Sequence, residues 1–469
     1  MKTTERACVL TKSLRLALLG VMLLGGLLPS AVMAETVTLT EKQVLALFYQ
    51  RNLDLLAARY NIDNARANEI IASAIPNPTL QVEMLELGHN MNQNSSSIGC
   101  NQGYATTGQN HNCGPAVYTT FTQLIEMAGR RGLRMQSTAI ATQAAESDFR
   151  DALRIFTNMV RDDYYALVQA QKNRGLMQEI VDFYKDIVNS NRLRYQAGAI
   201  AESDFMRIEM EDMRAKSDLD NAQAVVEQAQ AALAQILNWQ DKNQQFVAGE
   251  QWPAFQEIGQ TLQREQLINK ALSLRPDLLG DRQRADQAEK QLIAARRLIY
   301  PDLNINVGQA NDPSNIVKNT YFLGASATAP LFYQYQGETD QAVINLNQLR
   351  VQAEQTELGI RADVANSVAS WKSASKIVQR YESELLERAR KVRERMDLAY
   401  RRGGTTVLDF IDAQREYKSV MLDYYTAAIN RINAYYDLSK SLGVEPDAEL
   451  AAKMDNPMAI SSDRLREIK

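Results

Sequence analysis

Proline and glycine are scarce, 11 and 22 among 469 residues, and they gather in a few places. Sparse breakers leave room for unusually long helices. Histidine is scarcer still, with only His89 and His111. The chain has no HExxH pattern, no phosphate loop and no nucleophile constellation, so the residues point to no enzyme and to no cofactor. No stretch after residue 34 is long and apolar enough to be a transmembrane helix. Basic residues are not in excess: 52 Lys and Arg stand against 56 Asp and Glu, for a net charge of −4. Residues 1–34 contribute +3 of that, leaving −7 on the remainder. No basic face suggests a nucleic-acid partner.

Cysteine is rare as well, and its use follows from the N-terminus. Residues 1–34 read as a secretory signal peptide: a basic start, an apolar run from Leu16 to Leu28, and Val32-Met33-Ala34 as a small-residue cleavage site. The run is too short for a membrane anchor. Export places the mature chain in an oxidising compartment. Cys8 leaves with the signal, and Cys100 and Cys113 are expected to form one disulfide. No cysteine follows the cleavage site to support N-terminal lipidation.

What is present is helical periodicity, interrupted twice by alternation. A helix is expected from Thr40 to about Ala74, with Thr40 and Gln43 as a capping box and Pro76 and Pro78 as the stop. Strands come next at about 79–88 and 117–124, separated by a polar loop that holds both mature cysteines. A proline-free run from about Gly129 to Gln196 keeps 3/4 spacing through Phe149, Leu153, Val160, Leu167, Met177, Val181 and Val188, a coiled-coil seam. A helix from about Glu202 to Asn238 comes next, then a polar, irregular stretch over 239–261. Further helices stop at Pro301. Strands are expected at about 303–309 and 321–331. A second long run covers Gly337–Arg402, with Val364, Val368, Trp371, Val378, Leu385 and Val392 on its seam and Trp371 as packing. The last helix reaches about Leu442, before a polar tail at 443–469.

The chain repeats itself. LRYQAGAIAESDFMRIEME (193–211) aligns without a gap to LAYRRGGTTVLDFIDAQRE (398–416) at a shift of 205 positions. Gly198 and Gly403, Asp204 and Asp409, Phe205 and Phe410 are identical pairs, and Gly403-Gly404 marks the second turn. The domains are therefore a first structural repeat over 35–238, an irregular segment over 239–261 and a second repeat over 262–442.

A helix of about 65 residues rises on the order of 100 Å, a rod whose seam needs neighbouring helices along its length. Four strands leave two open edges, and about eight is the low end for a closed barrel. The residues alone leave two readings: a small sheet capping a soluble rod, or strands of an outer-membrane barrel closed by several chains, three giving twelve strands.

Duplication, order and the motifs Tyr195-x-x-Gly198…Asp204 and Tyr400-x-x-Gly403…Asp409-x-x-Asp412-Ala413 together resemble the TolC-type outer-membrane efflux protein family over about 40–442. The resemblance implies a mainly α fold with a small β part: a long antiparallel coiled-coil helical barrel, with each chain giving four strands to a trimeric 12-stranded barrel. It implies a homotrimer in the outer membrane of a Gram-negative bacterium, set in lipid and extending into the periplasm. The implied partners are a periplasmic adaptor protein and an inner-membrane pump of the resistance-nodulation-division type. Residues 121–131 (FTQLIEMAGRR) look like the Q-x-IELGGKR segment of the heavy-metal branch, departing at Met127, Ala128 and Arg130. The resemblance also implies that Asp409 and Asp412 form acidic rings at the periplasmic mouth, with Asp204, Tyr400 and Arg401 holding a closed entrance. The plainer reading of Asp409 is a helix-start carboxylate offsetting the macrodipole. The family often has an arginine after the second glycine, where this chain has Gly404-Thr405. His89 and His111 read as surface-loop residues, and no metal site is expected. The expected function is the exit duct of a tripartite efflux system carrying heavy-metal cations. The competing readings are the same duct serving drugs or polypeptide, and a periplasmic coiled-coil scaffold or adaptor.

Overall fold

The computed structural model describes residues 35–85, 116–240, 244–249, 253, 255, 263–311 and 319–445. The expected signal peptide, Cys100 and Cys113, both histidines, residues 86–88 and the tail beyond 445 lie outside these.

The first strand, β1 (Glu35–Leu39), leads into α1 (Glu41–Arg51). The capping box is formed: the Gln43 backbone N–H donates to Thr40 Oγ1 at 3.4 Å, and the Thr40 N–H donates to Gln43 Oε1 at 2.9 Å. The expected single helix to Ala74 is two helices, because α2 (Leu53–Ser73) starts afresh at Asn52. Asn52 is extended, with ψ at 131°. Its Oδ1 accepts from the Leu55 N–H at 2.8 Å, and its Nδ2 donates to the Ile236 carbonyl at 2.9 Å. An Asn amide that caps the next helix and reaches a distant chain end competes successfully with helix continuation.

The remaining order is β2 (Thr79–Leu85), β3 (Ala116–Ile125), α3 (Arg130–Gln196), α4 (Glu202–Ile236), β4 (Gln244–Ala248), α5 (Arg264–Leu274) and α6 (Pro276–Arg296), which ends in one 3₁₀ turn. Then come β5 (Leu303–Asn311), β6 (Asn319–Ala327), α7 (Gln336–Arg380), a single π-turn at Tyr381–Leu385, α8 (Leu386–Arg401) and α9 (Val407–Leu442). The strand expected over 321–331 is displaced to 319–327, ahead of Pro330.

The stretch 239–261, expected to be irregular, contains β4, which pairs in parallel with β1. Five-residue strands carry too little periodicity to be read. Tertiary contacts hold this one. Gln171 receives the Ala248 N–H at 2.8 Å and donates to its carbonyl at 3.1 Å. The Tyr164 hydroxyl donates to the Gly249 carbonyl at 3.0 Å. Beside this small sheet lies the largest core, in which Trp371 is buried against Phe255 and Tyr435.

At 67 residues, α3 is the backbone of the molecule, about 100 Å long. Its expected seam is buried from Phe149 to Val188. Below the small sheet α4 packs on α3, α3 on α9, and α9 on α8. The seam of the second run behaves differently. Val364, Val368, Trp371 and Val378 are buried, but Leu385, which ends the π-turn, and Val392 beyond it are 41% and 50% exposed. A π-turn inserts one residue and rotates the helix beyond it. In α8 Leu386, Ala389, Met396 and Ala399 are half-buried and Tyr400 is buried, while Val392 and Leu398 stay exposed.

The larger sheet runs β2-β3-β5-β6, antiparallel throughout. Register segregates its faces. Leu80, Phe121, Val307 and Leu323 lie in one row, and Val82, Thr119, Gln309 and Tyr321 in the next. The opposite face carries Gln81, Thr120, Gly308 and Phe322, then Glu83, Tyr118, Ala310 and Thr320. The apolar face is open: Leu80, Tyr321 and Leu323 are 69%, 77% and 77% exposed. Among the described residues no helix is long and apolar enough to cross a membrane.

The sheet is bolted to the helices through the segment that looks like a branch motif. Ala128 and Gly129 both take positive φ, 57° and 65°, to turn β3 into α3. Arg134 grips Glu126 in a fork at 2.6 and 3.0 Å. Arg130 pairs with Asp302, whose carboxylate also takes the Met127 N–H at 2.9 Å. Arg131 caps α2 at the Ser73 carbonyl. The Arg134 hydrogen bond holds the Glu126 carboxyl below its ordinary range, against the opposing pull of burial. A depressed carboxyl stabilises above its unfolded value and loses that contribution as pH falls through the folded one. Glu126→Gln is therefore expected to lower stability by about 1 kcal/mol near neutrality. The gap in Tm between wild type and variant, measured at about pH 7 and about pH 3, is expected to close at the lower pH.

Candidate functional site

The two aligned segments form two hairpin tips at the same end of the rod. Each long helix ends in the same hydrogen-bonded turn. Gly198 N–H donates to Tyr195 O at 2.9 Å and Ala199 N–H to Arg194 O at 2.8 Å. In the second repeat Gly403 N–H donates to Tyr400 O at 3.0 Å and Gly404 N–H to Ala399 O at 2.8 Å. This is a left-handed helix stop, with φ of 73° at Gly198 and 76° at Gly403. No neighbour lies within 4 Å of where a Cβ would sit on either residue. Backbone conformation, not space, demands glycine here. Gly404 has no such requirement.

Each turn is closed by a matching aromatic pair. Tyr195 stacks on Phe205 at 5.4 Å, and Tyr400 on Phe410 at 4.6 Å. The pairs differ in depth: Tyr195 is 38% exposed and Tyr400 only 4%. The Tyr400 hydroxyl donates to Asn191 Oδ1 at 2.7 Å, across to the other hairpin. Burial pushes the Tyr400 phenol up; Arg194 opposes that and the nearby Asp204 charge adds to it. Ile187, Val188, Phe205, Ile208, Tyr400, Val407, Phe410 and Ile411 form one small core, so the two tips fold as a unit.

The acidic candidates sit outside that core. Thr406 caps α9: the Asp409 N–H donates to Thr406 Oγ1 at 3.1 Å, and the Thr406 hydroxyl returns a bond to the Asp409 carboxylate at 2.7 Å. Hydrogen bonds from Thr406 and Thr405 hold the exposed Asp409 carboxyl below its ordinary range. The capping reading of Asp409 thus describes its contacts within one chain. Asp412, 61% exposed, lies 4.0 Å from Arg415. Arg401 turns back to Asp397 at 2.9 Å on its own helix. Asp204 lies half-buried in the first turn of α4. The structure therefore buries Tyr400 in the core between the tips, where the charge of half-buried Asp204 acts on it, and leaves Asp409, Asp412 and Arg401 on the surface.

Sequence reading missed the polar links that hold the hairpins together just above the tips. Glu211, 8% exposed, receives Arg415 and Arg214, each at 2.6 Å. Burial pushes its carboxyl up, but the two guanidinium groups outweigh that and leave it lowered. Lys418 reaches Asp218 at 2.5 Å. Arg393 meets Glu179 at 2.8 Å and lies over the Phe183 and Tyr417 rings. The identity of Glu211 and Glu416 in the repeat was the available signal, but which repeat buries its copy depends on packing. Among the described residues no three His, Cys, Asp or Glu side chains gather as a metal cage.

The family profile described as outer membrane efflux protein matches residues 44–239 and 267–444. The chain is 21% identical over 405 residues to the cobalt-zinc-cadmium resistance protein CzcC of Cupriavidus metallidurans, covering 84% of this chain and 90% of that protein. The fold resembles the CmeC outer membrane channel of Campylobacter jejuni with a TM-score of 0.73 at 17% identity, over 91% of this chain and 90% of that one. It resembles CusC with a TM-score of 0.70 at 18% identity, over 87% and 93%.

Proposed function

The chain belongs to the outer membrane efflux protein family, and on that footing we propose that three copies form the exit duct of a tripartite efflux system whose cargo is heavy-metal cations. Membership makes it an outer-membrane efflux channel, not an enzyme. The likeness to a cobalt-zinc-cadmium resistance protein over 84% of the chain carries the choice of cargo. The open sheet edges support assembly, since each is a surface that a second copy covers. The partners in this reading are lipid around the strands, a periplasmic adaptor at the tips and a resistance-nodulation-division pump beyond it. A duct need not select its cargo, so the match to one pump and adaptor defines the substrate.

The tips are the gate in this proposal. Asp412 takes the place that Arg207 holds in the first repeat, so only the second tip presents two exposed carboxylates. Repeated three times around an axis they make acidic rings that favour cations and hold a constriction. Tyr400 braces the second tip against α3 through Asn191, with Asp204 beside it, and Arg401 works from the rim. Opening requires α9 to move relative to α3 and α4, and the Glu211–Arg415 and Asp218–Lys418 pairs resist that movement.

A strain lacking the protein is expected to lose tolerance to zinc, cadmium or cobalt, read as minimum inhibitory concentrations. Unchanged tolerance to all three contradicts the metal cargo and points to drugs or polypeptide. In planar bilayers, Asp409→Ala combined with Asp412→Ala is expected to raise single-channel conductance and weaken block by multivalent cations. Wild-type values for both would remove the acidic rings from the account.

A further inference from the structure

The four strands of the larger sheet contain one charged residue. Across Thr79–Leu85, Ala116–Ile125, Leu303–Asn311 and Asn319–Ala327 the only Asp, Glu, Lys or Arg is Glu83. Its face is fixed by alternation. Leu80, Val82 and Met84 project with the apolar rows, so Glu83 projects with Gln81 on the polar face. Its height is fixed by register: it pairs with Tyr118, two residues from the strand ends that meet the 86–115 loop, and far from the helices. Gln81 donates its amide to the Glu83 carboxylate, and the carboxylate is exposed.

The rest of that face is mostly polar or small: Thr120, Asn306, Ala310, Thr320, Gly324 and Ser326 lie on it, with Tyr118, Leu124 and Phe322 as its bulky members. The Phe322 ring lies over Gly308, where any Cβ would collide with it. The absent side chain lets the ring follow the wall and keeps the face open. A charge on the lipid side of a barrel is costly, whereas lumen substitutions tune selectivity.

We infer that Glu83, repeated in three chains around a closed barrel, forms an acidic ring at the outer mouth that makes the exit cation-preferring. The inference rests on the trimeric duct reading and assigns a second selectivity element, at the opposite end from Asp409 and Asp412. A 12-stranded barrel has a backbone radius of about 12 Å, from strand spacing and tilt. Side chains reaching inward bring the three carboxylates on the order of 10–15 Å apart. The Debye length is about 10 Å at 0.1 M salt and about 30 Å at 0.01 M. The three charges therefore act as one field only in dilute salt. Tyr118 faces Glu83 across the strand pair; Glu86, Asp312 and Lys318 belong to loops outside the described residues and stay unchanged in the test.

The test is the reversal potential in a KCl gradient across planar bilayers, using the full chain with Asp409→Asn and Asp412→Asn so that the tip contributes no carboxylate. In salt of about 10 mM, Glu83→Gln is expected to lower the K⁺/Cl⁻ permeability ratio by about twofold or more, and the difference is expected to vanish near 1 M. Glu83→Lys is expected to turn the preference toward chloride. Channels that conduct normally with an unchanged ratio in dilute salt for both variants would overturn the ring and leave the duct intact. No conductance from the parent chain would overturn the duct reading, and the ring with it.

Discussion

The structure depends on what satisfies the free edges of one small sheet. Among the described residues β2 and β6 are the two edge strands, each with a neighbouring strand on one side only, and the sheet between them has a broad apolar face. In water such an edge invites aggregation; in a bilayer each unpaired group costs several kcal/mol. Because β2 and β6 run in opposite directions, β2 of one copy continues β6 of the next in the antiparallel sense used by the rest of the sheet. Three chains close twelve strands, an even number as outer-membrane barrels require. In the proposed duct, closure then sorts the two faces, with Leu80, Val82 and Leu323 on the outer one and Glu83 and Gln81 on the inner one.

The rod transmits that closure to the far end. α3 is continuous from the joint at Arg130 to the turn at Gly198, so the register of the barrel and the position of the tips are mechanically linked. Halfway along, the buried Arg161 ties three elements together. It bonds Glu41 at 2.8 Å and Glu445 at 2.5 Å and lies over Tyr436, while Glu41 also receives the Tyr165 and Tyr436 hydroxyls. A buried charge with its partners present is tolerated, and one partner removed leaves the others uncompensated. The waist is thereby cross-linked by a buried polar network. The tips are held by a small core and by ion pairs nearer the surface, which in the proposed duct makes them the part that moves.

Much of this was legible in the chain. Long-range periodicity showed α3 and the run that holds α7 and α8, because a seam sustained over that many turns cannot arise from local noise. The glycine turns at Gly198 and Gly403 marked where α4 and α9 begin. The 205-residue shift located both turns, because only a left-handed stop at Gly198 and Gly403 explains a repeated glycine after a Tyr. Short elements were not legible: β1 and β4 have five residues each and exist through Gln171 and Tyr164. Asn52 breaks a helix through a bond to Ile236, 184 positions away. At the tips the residue types were readable but their partners were not. Tyr400 and Asp409 find theirs inside their own chain, and Glu211 became visible as a link only once packing showed which glutamate of the pair is buried.

The measurement that bears most directly on the edge-closure account is the mass of the detergent-extracted protein by native mass spectrometry. Closure by three copies predicts a complex of three chains, with single and paired chains absent until the barrel is denatured. A stable, folded single chain under the same conditions would contradict it, because that chain would have to carry both sheet edges unpaired.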